Sequence, residues 1–257
     1  ALEFMRTLPD ASVDMVLCDL PYGGENTKLD WDNRLPIKAL WVEWSRLVKP
    51  RSVIALTATQ PYTSHLVLSN PSMFRYCWYW EKQKSASFGV VNTQPLRVVE
   101  DILIFSHASA FLNQFMTEDQ AAYYYPQMTP LERPQTRHFK ASHKSVASPS
   151  KSSTIQYGKE FTSVYTHSYP RNLVYFPDDP DRGLHPTQKP VALFEYLIRT
   201  YTQPNDVVLD CCMGSGTTAV AARQCGRHFV GCDQSPDYVA KAKIRLAKPW
   251  QPALLEG

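Results

Sequence analysis

Apolar runs and stretches of helical periodicity alternate at both ends of the chain, and the middle loses both patterns. Residues 12–19 (SVDMVLCD) and 52–56 (SVIAL) are apolar without strict alternation. That pattern suits strands covered on both faces, as in a parallel sheet. Between them, Leu40, Trp44 and Leu47 recur at helical spacing across 36–49, and Pro50 closes the segment. Residues 60–68 repeat a short helical pattern, and 76–81 (YCWYWE) and 98–105 (VVEDILIF) predict two more strands.

The last third returns to the same grammar. Residues 190–201 place Val191, Phe194, Leu197, Ile198 and Tyr201 on one helical face. Strands are predicted over 206–210 (DVVLD) and 228–233 (HFVGCD), with a helix over 217–225 stopped by Gly226 between them. Ser235 caps a final helix, with Pro236 at its first position and Asp237 in its first turn.

From about 107 to 169 the apolar period fades, and Pro, Gln, Ser, Thr, Lys and His dominate around a run of Tyr123, Tyr124 and Tyr125. Charge sharpens this contrast. The whole chain carries only +3, yet over 126–172 seven bases face two acids. The bases are Arg133, Arg137, Lys140, Lys144, Lys151, Lys159 and Arg171. The stretch reads either as a solvated loop or as a phosphate-tracking segment with interleaved aromatics.

Composition adds bounds. The 257 residues allow one large domain or two small ones. The hydrophobic share of 44% and charged share of 20% fit a globular chain and argue against disorder. No apolar run reaches the roughly 20 residues of a membrane span. No signal-peptide pattern precedes the first strand, and none of the six cysteines forms a C-x-x-C pair. They read as reduced core residues of a cytoplasmic protein without a metal site.

Two motifs carry chemistry. In VVLDCCMGSGTTAVAA (207–222) a strand ends in Asp210, and a turn through Gly214 and Gly216 opens a helix at Thr217. Glycines there let backbone approach a ligand at the carboxyl end of a sheet. The next strand ends in Asp233, 23 residues on, an offset suited to gripping ribose hydroxyls. A phosphate P-loop is excluded, because Thr217 and Thr218 follow Gly216 where lysine is required. A dinucleotide loop stays open, with Ala219 at its third glycine position, as does a turn whose glycines serve packing alone. A carboxylate at Asp210 favours a cationic amine over a pyrophosphate, such as the methionine part of S-adenosylmethionine. The second motif, Asp19-Leu20-Pro21-Tyr22, follows the first strand. An acid can accept a hydrogen bond from a planar amine, a rigid proline can present a carbonyl, and a tyrosine ring can stack on a base. Taken alone, the tetrapeptide reads as an ordinary turn.

Together the two motifs resemble those of the DNA amino-methyltransferases, whose hallmark is Asp-Pro-Pro-Tyr. His185-Pro186-Thr187-Gln188-Lys189-Pro190, just before the glycine loop, resembles that family's cofactor-side segment. The order of motifs resembles the family's circularly permuted β group. Leu20 departs from the hallmark's first proline, which puts rate rather than reaction type in doubt.

The resemblance implies an α/β fold: a mostly parallel seven-stranded Rossmann-like methyltransferase sheet with helices on both faces and an irregular inserted target-recognition region. It divides the chain into a catalytic half (1–106), a DNA-binding insert (107–172) and a cofactor half (173–257). S-adenosylmethionine would lie on Asp210, Gly214, Gly216 and Thr217, with Asp233 on its ribose. Thr187, Gln188 and Lys189 would close over its methionine end. Asp19, Leu20, Pro21 and Tyr22 would form the catalytic pocket, and Arg133, Arg137, Lys140 and Lys144 would contact double-stranded DNA. The implied reaction is methyl transfer to the N6 amino group of a flipped adenine, with N4 of cytosine as the alternative. Rival readings are a silent DNA-binding protein of the same fold and a methyltransferase of RNA or protein. Such enzymes occur as monomers or homodimers, in restriction–modification systems, in phages and alone.

Overall fold

Each apolar run becomes a strand and each helical period a helix. The computed structural model describes residues 1–22, 35–86, 89, 91–110, 120–139, 160–179 and 188–248. The first part holds α1 (Leu2–Arg6), β1 (Val13–Asp19), α2 (Ile37–Leu47), β2 (Val48–Ala58), α3 (Tyr62–Ser69), β3 (Phe74–Ala86) and β4 (Arg97–Phe105). The middle adds β5 (Thr129–Phe139), β6 (Phe161–Ser168) and β7 (Leu173–Phe176). The end holds α4 (Val191–Tyr201), β8 (Val207–Asp210), α5 (Thr217–Gln224), β9 (His228–Gly231) and α6 (Pro236–Ala247).

Seven strands form one sheet in the order β7-β3-β4-β2-β1-β8-β9. Adjacent strands are parallel except where β4 runs against β2 and β3. This is the mostly parallel sheet that the resemblance implies. The central strands explain the unbroken apolar runs. Met15 and Leu17 face one core, with Val53, Ile104, Leu193, Phe194 and Leu197. Val16 and Cys18 face the other, with Leu40, Trp44, Leu47 and Phe105. Helices therefore cover both faces, and α2 and α5 lie on opposite ones.

From β1 the chain crosses through α2 to β2 on one side, and from β8 through α5 to β9 on the other. The crevice between β1 and β8 is thus the point where strand order reverses, and ligands of open α/β sheets lie at the carboxyl ends there. Asp14 fixes the opposite end. Its Oδ2 accepts from Val207 N at 2.9 Å, and its Oδ1 lies 2.6 Å from Lys49 Nζ.

The middle is less irregular than the sequence predicts. Strands β5 and β6 form a separate antiparallel ribbon, and β7 joins the main sheet beside β3. The ribbon is polar on both faces, so no alternation betrays it. Pro130 and Pro134 also read as breakers, yet a two-stranded ribbon has outward N–H positions that a proline can occupy. No helix among the described residues is long and apolar enough to cross a membrane. All six cysteines are free; Cys18, Cys211 and Cys225 are buried.

Candidate active site

Parallel pairing of β1 with β8 brings the two sequence motifs together. Cys18 Sγ lies 3.7 Å from Cys211 Sγ, so Asp19 and the glycine loop leave the sheet side by side despite their separation along the chain.

Asp19 ends β1 beside Thr57 of β2, whose hydroxyl donates to Asp19 Oδ1. Lys189 Nζ lies 2.9 Å from the same oxygen, and the Tyr22 hydroxyl oxygen stands 3.3 Å from it. No described residue bonds Asp19 Oδ2, and the side chain is 23% exposed, so this second oxygen is the one left for an incoming donor. Leu20 is 2% exposed and packs in the core with Val16 and Leu56, which gives the departure from the hallmark a packing role. The Tyr22 ring is half-buried, with the Tyr62 ring centroid 5.7 Å away.

Lys189 reaches both motifs. Its backbone carbonyl lies 3.5 Å from the Thr217 hydroxyl at the end of the glycine loop, while its ammonium enters the Asp19 pocket and also pairs with Glu100 Oε1 at 2.8 Å. Burial acts to strip its proton, but Asp19 and Glu100 outweigh that and hold it above the ordinary lysine value. In the sequence Glu100 shows only as one position of the strand predicted over 98–105. An acid inside an apolar run is a usable signal, because a buried charge requires partners. Here Oε1 also accepts from the Tyr22 hydroxyl at 2.8 Å, and Oε2 lies 3.7 Å from Lys82 Nζ. Burial pushes the Glu100 carboxyl up, but Lys189 and Lys82, with the tyrosine hydrogen bond, hold it below its ordinary value. Burial and the carboxylates of Glu100 and Asp19 push the Tyr22 phenol well up, so it stays a neutral donor.

The glycine loop turns through left-handed backbone at Gly214 (φ 49°) and Gly216 (φ 83°). Gly216 is also pressed against α6, where a Cβ would lie 2.7 Å from Ala242 Cβ. Asp210 is 2% exposed, and both of its oxygens serve the loop. Oδ1 accepts from Cys212 N at 2.9 Å, and Oδ2 accepts from the Thr218 hydroxyl. Burial pushes its carboxyl up to about 7. Thr217 opens α5, buried beside Lys189 O at 3.5 Å. Gln188 is buried between Ser215 and Asp179. Asp233 stands half-exposed past β9, accepting from Gly214 N at 2.8 Å and Ser235 N at 2.9 Å. An accessible carboxylate tied to a glycine turn at the carboxyl end of the sheet fits an adenosyl group, whose ribose offers two hydroxyl donors.

The expected DNA contacts are only partly described. Arg133 and Arg137 lie exposed on β5, and the Arg137 guanidinium sits 5.3 Å from the Tyr165 ring centroid on β6. Thr187, Lys140 and Lys144 fall outside the described residues.

Comparison with known proteins agrees with this geometry. Residues 13–244 match the DNA methylase family of the N6/N4 type. A type II methyltransferase, M1.MboII of Moraxella bovis, is 28% identical over 258 residues, covering 95% of this chain and 93% of its own. The PvuII cytosine-N4-specific DNA methyltransferase shares the fold at 18% identity, with a TM-score of 0.63 over 96% of this chain and 84% of that one. The structure of an M1.HpyAVI–SAM complex shares it at 20% identity, with a TM-score of 0.57 over 96% of this chain and 93% of that one.

Proposed function

The chain belongs to the DNA methylase family, and from that premise we propose that it methylates the N6 amino group of an adenine flipped out of double-stranded DNA. Its cofactor is S-adenosylmethionine, which supplies a methyl group on a sulfonium, with a neutral thioether as leaving group. The observation that carries the reading is Asp19: one carboxylate oxygen is held by Thr57 and Lys189 and the other has no partner among the described residues, beside the glycine loop.

An exocyclic amino group is a poor nucleophile, because its lone pair is delocalised into the ring. A hydrogen bond from the amine to Asp19 Oδ2 favours a more tetrahedral nitrogen and points its lone pair at the methyl donor. The proton leaves after transfer, so no strong base is required. Flipping a base costs a few kcal/mol. Stacking on Tyr22 offsets about 1–3 kcal/mol of that. The remaining contribution is register, because both reactants are held at the mouth of one crevice. Gly214, Gly216, Thr217 and Gln188 would frame the cofactor, and Asp233 would take its ribose hydroxyls. Arg133 and Arg137 would bind phosphates from the β5–β6 ribbon. Adenine is favoured over cytosine because the motif opens with Asp, whereas the family's cytosine enzymes usually open it with Ser. The role that fits its type II relatives is protective modification in a restriction–modification system.

Amplified, unmethylated bacterial DNA incubated with the protein and methyl-labelled S-adenosylmethionine tests this. Digestion to nucleosides should yield labelled N6-methyldeoxyadenosine. Labelled N4-methyldeoxycytidine would move the assignment to cytosine, and label found only in RNA or protein would overturn the DNA substrate.

A further inference from the structure

Glu100 has no part in the reaction as proposed, yet it holds two of the polar groups around Asp19, the Tyr22 hydroxyl and the Lys189 ammonium. It is 6% exposed on β4, where water cannot compensate its charge. Its Oε1 lies 2.8 Å from both the Tyr22 hydroxyl and Lys189 Nζ, and Lys189 in turn lies 2.9 Å from Asp19 Oδ1. Two carboxylates and two ammonium groups therefore share one largely buried cluster, with Lys82 the fourth member. Breaking such a set by removing one partner leaves an uncompensated charge.

We propose that Glu100 is a positioning residue for methyl transfer: it fixes the Tyr22 ring through the phenol and holds the Lys189 ammonium on Asp19 Oδ1, so that Oδ2 meets the target amino group. The proposal rests on the reading of Asp19 and Tyr22 as the base pocket. Three segments distant in sequence meet here. Asp19 ends β1 and Tyr22 follows it, Lys189 precedes α4, and Glu100 lies on β4, next but one to β1 in the sheet. A carboxylate that takes both Thr57 and Lys189 on one oxygen cannot rotate freely about its Cβ–Cγ bond. The direction of its other oxygen is thereby set before substrate arrives. Tyr22 gains the same advantage: its held hydroxyl fixes the long axis of the ring, and the Tyr62 ring 5.7 Å away packs beside it. Preorganisation of this kind acts on rate, because small misplacements of reacting groups are costly in turnover. It does not act on the cofactor loop, which Glu100 does not touch.

A buried ion cluster could serve stability alone, and the test separates the two roles. Glu100→Gln keeps the shape and an acceptor for Tyr22 but removes the charge that holds Lys189. Single-turnover methylation of amplified bacterial DNA should slow about tenfold or more, while calorimetric affinity for S-adenosylmethionine stays within about twofold of the parent. Lys189→Gln should slow it similarly. The double variant Glu100→Gln/Lys189→Gln should be no slower than the slower single, since both act through one arrangement. If Glu100→Gln does not fold, Glu100→Asp takes its place, alone and paired with Lys189→Gln: it keeps the charge but draws it back from Tyr22 and Lys189, and less-than-multiplicative losses are expected. A parent rate in Glu100→Gln, losses that multiply in either pair, or a cofactor affinity that falls in step with rate would overturn the positioning role. A parent protein that methylates no DNA would overturn the underlying reading and this proposal together. A parent that methylates normally beside an equally fast Glu100→Gln would overturn this proposal alone.

Discussion

Asp19 shows how chemistry depends on which oxygen of a side chain is spoken for. Its Oδ1 is taken by Thr57 and Lys189, and its Oδ2 has no described partner. Asp19→Ala should therefore cost rate and leave the cofactor loop alone. The expected loss is about 10²-fold or more in turnover, the scale set by losing one preorganised polar partner. Cofactor affinity, measured by calorimetry on the same preparation, should be unchanged. An equal fall in both would place Asp19 in the cofactor site instead. The sequence made Asp19 and Tyr22 legible because an acid-x-proline-aromatic turn after a buried strand is a compact chemical statement. It did not reveal Glu100, nor that Lys189 belongs to this pocket. Both depend on side chains that meet only when β4 and the segment before α4 arrive beside β1. Spacing along the chain carries no record of such a meeting.

Elements were legible where they bury a face. Strands β1, β2, β4 and β8 and helices α2 and α4 all carry an apolar period that the core explains. The five residues of α1 and the four of β7 are too short to show a period, and the β5–β6 ribbon has no buried face to announce it. The ribbon can still be tested through its charge. If Arg133 and Arg137 each neutralise a phosphate, log affinity for duplex DNA falls with log salt by about 0.9 per contact. Replacing both by Gln should flatten that slope by roughly two. An unchanged slope would make them a solvated surface. The α5 entrance gives a second test at this scale. Gly216→Ala would combine left-handed strain with a Cβ 2.7 Å from Ala242 Cβ. Strain and overpacking together cost about 2–4 kcal/mol. At this chain length that lowers Tm by roughly 5–10 °C. Gly226→Ala also places alanine at a left-handed position (φ 69°), but with no atom within 4 Å of the new Cβ. It should therefore show the strain alone and a clearly smaller loss. Equal losses would mean that α6 gives way freely and does not clamp the loop.

On the scale of the whole molecule, the pH dependence of folding ties the central crevice to overall stability. Burial raises the Asp210 carboxyl to about 7, even though Thr218 and Cys212 donate to it. In the unfolded chain the same group titrates near the ordinary aspartate value of about 3.9. Between these values the folded state holds a proton that the unfolded state has released, so stability falls as pH rises. The contribution is fully present below about pH 4 and lost as pH passes through 7. Glu100 works in the opposite sense. Its carboxyl is held below the ordinary value, so its contribution is present above the unfolded value and is lost as pH falls. The parent should therefore be most stable in mildly acidic solution, between the two effects. Asp210→Asn isolates one of them. Its amide can accept from Cys212 N and donate to the Thr218 hydroxyl without ever taking a charge. The difference in Tm between variant and parent should accordingly move in the variant's favour as pH is raised from 5 to 8. Glu100→Gln should show its trend at lower pH: its deficit is constant from pH 5 to 8 and shrinks as pH falls below the ordinary glutamate value of about 4.3, where the parent's carboxylate takes up its proton. Thermal unfolding of the three proteins from pH 3 to 8 measures both slopes. If the Asp210→Asn difference were flat with pH, the Asp210 carboxyl would titrate alike folded and unfolded. Its burial at the base of the loop would then carry no electrostatic cost.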